Sequence, residues 1–316
     1  MENKLDQVVI LHIGAGKHNE KQNNEYVRLM RKALKKGDIV EINSILEHSS
    51  MTNTGYGSSL NILGEVEIDA SYIKSDGECG ALLGLQVDSP TKEMFRIFNK
   101  IDKRYVGEES LSKPLSLHCS NLRRYMDIPV HDHLVSPKSN KIYDMYKDQV
   151  FQYHGEAHIN DTIGSIVIDT FLNQTTLATT SGGHFFKLPG RIGCAGIIGA
   201  AIYHEQIEDL QISCMCSGNG EQIIKNSLAQ SIVKNISDMD EAEYGARLEK
   251  LILKKTPGIY CGFIVVLRRS NGRIQLLYGH TTETFYFGTR VNDSTRVVLS
   301  CAEQEGKFTF GEYKLR

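Results

Sequence analysis

Residues 160–168 read Asn160-Asp161-Thr162-Ile163-Gly164-Ser165-Ile166-Val167-Ile168. Ahead of this stretch, residues 128–160 contain His131-Asp132-His133, Ser136-Pro137-Lys138-Ser139-Asn140 and His154-Gly155-Glu156-Ala157-His158. That composition reads as a partly helical, exposed connection. From Thr162 onward the chain becomes apolar and β-branched, and 174–180 (Gln174-Thr175-Thr176-Leu177-Ala178-Thr179-Thr180) is a second such run after a short turn. The pair predicts a β-hairpin. Thr162 therefore opens a buried strand, its hydroxyl fixed in direction, directly behind a segment with little to hold it.

Working outward, residues 7–13 form an apolar run that stops at Gly14-Ala15-Gly16, as a buried strand entering a tight turn does. Tyr26, Leu29, Met30, Ala33 and Leu34 then recur at helical spacing, with Lys35-Lys36-Gly37 as a basic last turn and a glycine stop. Strands are expected over 65–72 and 80–87, and a mostly helical stretch over 89–127. Beyond the hairpin, 209–216 reads as a strand, 221–236 and 241–255 as helices. Further strands are expected over 260–267, 274–278, 285–288, 297–301 and 308–310. Helices gathered in blocks, without βαβ alternation, point to an α+β protein of stacked layers rather than a Rossmann sheet.

Composition narrows the function. The 316 residues include 36 Lys+Arg against 38 Asp+Glu, a formal charge of -2, which argues against a broad cationic face for nucleic acid. With 41% hydrophobic and 23% charged residues the chain is ordinary globular material. No apolar run is long enough for a membrane span, and the polar start does not resemble a secretory leader. The seven cysteines are scattered, without Cys-x-x-Cys, which suits free thiols in the cytosol or nucleus.

Two familiar kinds of motif are weak. His131-Asp132-His133 and His154-Gly155-Glu156-Ala157-His158 each set two histidines around an acid, but neither has a third ligand nearby, and solvent exposure is the commoner meaning. Gly14-Ala15-Gly16-Lys17 and the glycines at 193, 196 and 199 match no phosphate-binding fingerprint. Thr162 is different. If the Asp161–Thr162 bond is cut, Thr162 gains an α-amine beside its own hydroxyl. Such an amine titrates near about 7.7–8.0 and can accept the hydroxyl proton at neutral pH.

Thr162 has company in the sequence: His12-Ile13-Gly14-Ala15-Gly16, Thr52-Asn53-Thr54-Gly55-Tyr56-Gly57-Ser58-Ser59-Leu60-Asn61, Thr179-Thr180-Ser181-Gly182-Gly183, Lys187-Leu188-Pro189-Gly190-Arg191-Ile192-Gly193 and Cys216-Ser217-Gly218-Asn219-Gly220-Glu221. In order and spacing this series resembles the threonine aspartase (taspase) branch of the type 2 asparaginase group of N-terminal-nucleophile (Ntn) hydrolases. The likeness is good over about 7–72 and 158–224 and looser elsewhere. The turn over 169–174 is longer than usual in that branch, Gln22 stands where a lysine is common, and the connection before Thr162 is short.

The resemblance implies an αββα sandwich, made as one chain that cuts itself between Asp161 and Thr162 into an α chain (1–161) and a β chain (162–316). Thr162 would be the nucleophile, with Ser181 hydrogen-bonded to it and Asn53 holding the developing oxyanion. Arg191 would bind a substrate carboxylate through its planar fork, and Ser217-Gly218 would form the substrate-contacting turn. The resemblance brings no cofactor beyond a structural sodium ion in the loop after Asn53. It implies αβ heterodimers that pair again, and protein substrates with aspartyl cleavage sites, without nucleic acid or membrane.

Cys194 separates the branches. Asparaginases carry an aspartate three residues after the arginine, and it holds the free α-amine of a small substrate. A neutral, buried thiol cannot do this. Taspases also lack that aspartate, because the α-nitrogen of their substrate lies within a peptide bond. The sequence thus favours a threonine endopeptidase cutting after aspartate. The rival readings are an asparaginase or isoaspartyl dipeptidase, and an unprocessed, inactive member of the family.

Overall fold

The computed structural model describes residues 7–102, 112–150, 162–255, 257–304 and 306–316. One sheet has eight strands in the order β12 (Ser294–Cys301), β11 (Thr284–Val291), β1 (Gln7–Gly16), β5 (Ile163–Asp169), β6 (Gln174–Ser181), β2 (Ile68–Lys74), β3 (Cys79–Leu85), β4 (Ser116–His118). Its pairs are antiparallel except β3 with β4, which is parallel. The second sheet has five strands, β13 (Thr309–Lys314), β10 (Ile274–His280), β9 (Cys261–Arg269), β8 (Leu210–Gly218), β7 (Ile202–Ile207).

The side-chain alternation of β1 shows how the layers stack. Val9, Leu11 and Ile13 point to a cluster with Met30, Ile42 and Ile97, which belong to α1 (Asn23–Leu34), α2 (Ile39–Glu47) and α3 (Pro90–Asp102). Val8 and Ile10 point the other way, to a second cluster with Ile166, Ile264, Val266 and Leu276, between the sheets. A third cluster joins Cys214, Val265 and Leu277 to α7 (Leu228–Ile236) and α8 (Tyr244–Lys255). The order is helices, sheet, sheet, helices: an αββα sandwich with three apolar seams. Because both faces of β1 are covered, it reads as an unbroken apolar run rather than an alternating one.

The hairpin across 163–181 is present, with Ile163 opposite Thr180 and Asp169 opposite Gln174. Its turn bends through Asn173 at φ 54°, and the Asp169 carboxylate accepts the amides of Phe171 and Leu172. Other expected elements shift or divide. The run over 221–236 is two helices, α6 (Gly220–Lys225) and α7, broken at Ser227, which is left-handed at φ 42°. The described part of 89–127 holds α3, the short β4 and the single turn α4 (Cys119–Leu122), so it is less helical than its composition suggests. In 128–160 the described helix is α5 (Pro137–Tyr146), started by the Ser136 hydroxyl accepting the Ser139 amide. Asp161 and the histidines 154 and 158 lie outside the described residues. His131 contacts Asp88 at 3.3 Å.

Candidate active site

Thr162 stands just ahead of β5, where the eight-stranded sheet ends, and it is buried. Its Oγ1 donates to Ser181 Oγ at 3.0 Å. Ser181 ends β6, and its hydroxyl in turn accepts the Gly183 amide at 3.1 Å. The hairpin alone brings these two residues together, since Ile163 faces Thr180 across the ladder.

The other side chains come from distant elements. Thr162, Ser181, Asn53, Arg191, Cys194 and Gly218 line one pocket of about 690 Å³. Asn53 is committed on both sides of its amide: Nδ2 donates to the Gly183 carbonyl, and Oδ1 accepts the Ser59 amide at 2.8 Å. Its own carbonyl accepts the Gly182 amide at 2.7 Å, so Asn53 braces the turn after Ser181. Ser217 lies deeper. Its hydroxyl accepts the Ala15 amide at 3.2 Å, tying β8 to β1, and the pocket wall passes through Gly218, Asn219 and Gly220 instead.

Arg191 is largely buried and meets Glu221 through two bonds, Nε to Oε1 at 3.0 Å and Nη2 to Oε2 at 2.5 Å. That contact holds the Glu221 carboxyl below the usual range. The loop carrying Arg191 is anchored by Asp69, whose carboxylate accepts Gly193 N at 2.6 Å and Gly84 N at 3.2 Å. Burial pushes the Asp69 carboxyl upward, and the nearby Lys187 ammonium opposes that shift. Cys194 begins a one-turn helix, Cys194–Gly196, against Arg191. Burial pushes its thiol up to about 12, so it is neutral at physiological pH.

Beneath Thr162 lies His12, fully buried, with its pKa lowered to about 3 by desolvation. Neither ring nitrogen makes a full hydrogen bond. The Thr162 backbone is the polar group facing the ring and weakly opposes that shift. Sequence reasoning assigned no role to His12, Asp69, Glu221, Lys17, His184, Tyr260 or Glu283; the last five line the pocket. The motif series includes His12 and Glu221, so their positions were marked in the sequence although their contacts were not.

The loop after Asn53 can be tested for a cation. A Cβ at Gly55 would lie 2.2 Å from the Glu47 carbonyl oxygen, and one at Gly57 2.1 Å from that of Thr52 and 2.6 Å from that of Ser49. These contacts show close backbone packing at both glycines, the Glu47 oxygen at one and the Ser49 and Thr52 oxygens at the other, and leave the sodium ion a proposal. Among the described residues no group of three or more His, Cys, Asp or Glu could hold a metal. No described helix is long and apolar enough to cross a membrane.

Comparison with known proteins agrees with this geometry. The family model described as "Asparaginase", of the type 2 group, matches residues 6–299. The chain is 26% identical over 250 residues to a plant-type L-asparaginase of Pyrococcus abyssi, covering 71% of this chain and 77% of that protein. It is 27% identical over 261 residues to an isoaspartyl peptidase/L-asparaginase of Mus musculus, covering 76% of each. To the corresponding protein of Xenopus laevis it is 26% identical over 277 residues, covering 83% of this chain and 86% of the relative. Together with the αββα layers and a threonine poised at a strand start, the match places the chain in the type 2 asparaginase family of Ntn hydrolases.

Proposed function

We propose that this enzyme is a threonine endopeptidase that cuts after aspartyl residues, of the taspase type, and that it activates itself at Asp161–Thr162. In the self-cut the Thr162 hydroxyl adds to the Asp161 carbonyl carbon, and the peptide nitrogen departs as the acyl group moves to oxygen. Water then hydrolyses the ester, leaving a carboxylate at 161 and an α-amine on Thr162. In turnover that amine takes the hydroxyl proton as Oγ1 attacks the substrate carbonyl. The acyl-threonine forms, the proton goes to the leaving amine, and water releases the acid product. Ser181 keeps Thr162 Oγ1 in place through the 3.0 Å bond. A sodium ion in the loop after Asn53 would stiffen it and take no part in bond breaking.

The observation that carries the substrate reading is the buried, neutral Cys194 beside Arg191. Arg191 can receive a carboxylate. Cys194 offers an ammonium no anionic partner of its own, and a desolvated unpaired charge is costly. A peptide nitrogen has no such requirement. The relatives' names favour the second reading, hydrolysis of asparagine or isoaspartyl dipeptides, and on names alone it stands ahead. Two assays divide the readings: cleavage after Asp in an extended peptide, and ammonia release from free asparagine. Efficient ammonia release with intact peptide would reverse the order.

The self-cut is tested on a denaturing gel. The 35.4 kDa chain should resolve into two fragments of similar size, with Thr162 as a new N-terminus. Thr162→Ala should give one band. An uncut wild type that is fully active would refute the proposed catalyst. The proposed localisation, cytosol or nucleus, and the pairing of αβ units are to be checked by fractionation and light scattering.

A further inference from the structure

We infer that Glu221 is a positioning residue for Arg191: it grips the guanidinium by the Nε–Nη2 edge and leaves Nη1 to meet the substrate carboxylate. The inference rests on the reading above that Arg191 receives a carboxylate. Three observations carry it. First, Glu221 takes both hydrogens of one edge, and no protein acceptor is bonded to Nη1 among the described residues. Second, Arg191 is 14% exposed and Glu221 59%, so the acid sits nearer to solvent than the guanidinium it holds. Third, glycines make room for the fork. A Cβ at Gly183 or Gly193 would come within 2.8 Å of Nη1, and one at Gly220 within 2.7 Å of Nη2. Nη1 thus lies beside Gly183, whose amide is bonded to Ser181, the partner of Thr162.

Glu221 has a firm base. It is the second residue of α6, whose first turn is capped by Asn219 Oδ1 accepting the Gln222 amide at 3.1 Å. The Asn219 amide is itself bonded to the Tyr260 carbonyl at 2.8 Å. An arginine already held in one rotamer loses little freedom when its ligand arrives, and that preorganisation strengthens binding. The opposite role is physically distinct: a carboxylate that occupied the ligand's own edge would compete with substrate. The two roles predict opposite signs.

The test uses the processed protein, with N-acetyl-L-aspartate as a carboxylate probe in calorimetry and an Asp-containing peptide in steady-state kinetics. Glu221→Gln should weaken probe binding about tenfold and raise KM by a similar factor, with kcat within about twofold. Gly220→Ala, which pushes Nη2 off Glu221, should do the same. Tighter binding in Glu221→Gln would show competition and overturn the inference, and unchanged binding would overturn it equally. If the wild type binds the probe yet turns over neither peptide nor asparagine, the reaction assignment fails while the clamp is still judged by its binding constants. A wild type that does not bind the probe removes the clamp as well.

Discussion

At the residue scale, the proposed choice of substrate turns on one thiol. Cys194 sits three positions after Arg191, buried, with its proton held to about 12. Replacing it by aspartate would supply the anion that an α-amine needs. Cys194→Asp is therefore expected to raise ammonia release from asparagine by about ten- to a hundredfold, the worth of one charge-assisted hydrogen bond. Cleavage after Asp in an extended peptide should fall at the same time. Asparagine turnover that stays at the wild-type level would separate Cys194 from the choice of substrate. The same scale shows how one residue braces a site, since Asn53 links the Gly182-Gly183 turn to Ser59 by three hydrogen bonds, two through its side-chain amide and one through its backbone carbonyl.

At the scale of elements, the site depends on how closely β1 and β5 pack beneath the second sheet. His12 faces Gly164 across the ladder. A Cβ at Gly164 would lie 2.3 Å from His12 Nε2 and 3.1 Å from Met215 Sδ, so the space of a side chain there is taken by the imidazole. Gly164→Ala is expected to cost about 1–3 kcal/mol by overpacking, and to slow the self-cut because Thr162 lies two residues away. Thermal melting and a time course on a gel measure both effects. An unchanged melting temperature would mean that His12 swings aside freely. Near the pocket β1 also carries a register irregularity between His12 and Gly14, with Gly14 at φ 113°. Bulges of this kind re-aim the strand that follows, here the stretch ending at Gly16 on the pocket wall.

At the scale of the whole molecule, the two halves of the chain interleave. In the eight-stranded sheet β1 lies between β11 and β5, and β6 pairs with β2, so strands from either side of residue 161 alternate. Fragments produced by the proposed cut would stay joined by three strand pairs and share their cores. Two buried groups set opposite pH slopes on stability. His12 is neutral in the folded chain down to about 3, whereas an unfolded histidine takes up a proton near 6.5, so stability falls as pH drops through that window. Glu47 is raised to about 8 by burial, keeping its proton where the unfolded acid has lost it. Its contribution is therefore lost as pH rises from 4.5 to 8. Between 4.5 and 6.5 these two contributions oppose each other, and His18 and His204, also lowered to about 4 by burial, add to the acid-side slope. Glu47→Gln should flatten the alkaline limb, and denaturant melts at pH 6 and pH 8 will measure it; an alkaline slope equal to that of wild type would discount Glu47.

The hairpin, the strand start at Thr162 and the helix over Tyr26 to Leu34 were legible in the sequence because each depends on neighbours no more than 19 residues away. The family motifs were legible for a related reason: each is a short turn or strand end with its own spacing. α2 carries the same kind of local signal, since Asp38 caps it and Ile39, Ile42 and Leu46 bury one face. β7 gave no such signal, since Tyr203-His204-Glu205-Gln206 is a half-buried edge without an apolar run. Only the tertiary structure joined Arg191 to Glu221, Asp69 to Gly193, and Ser217 to Ala15. These partners lie 30, 124 and 202 residues apart. A local pattern records where a chain turns and which face it buries. Which charges end up sharing one desolvated pocket depends on the packing of two sheets, and no window of sequence contains both sides of that contact.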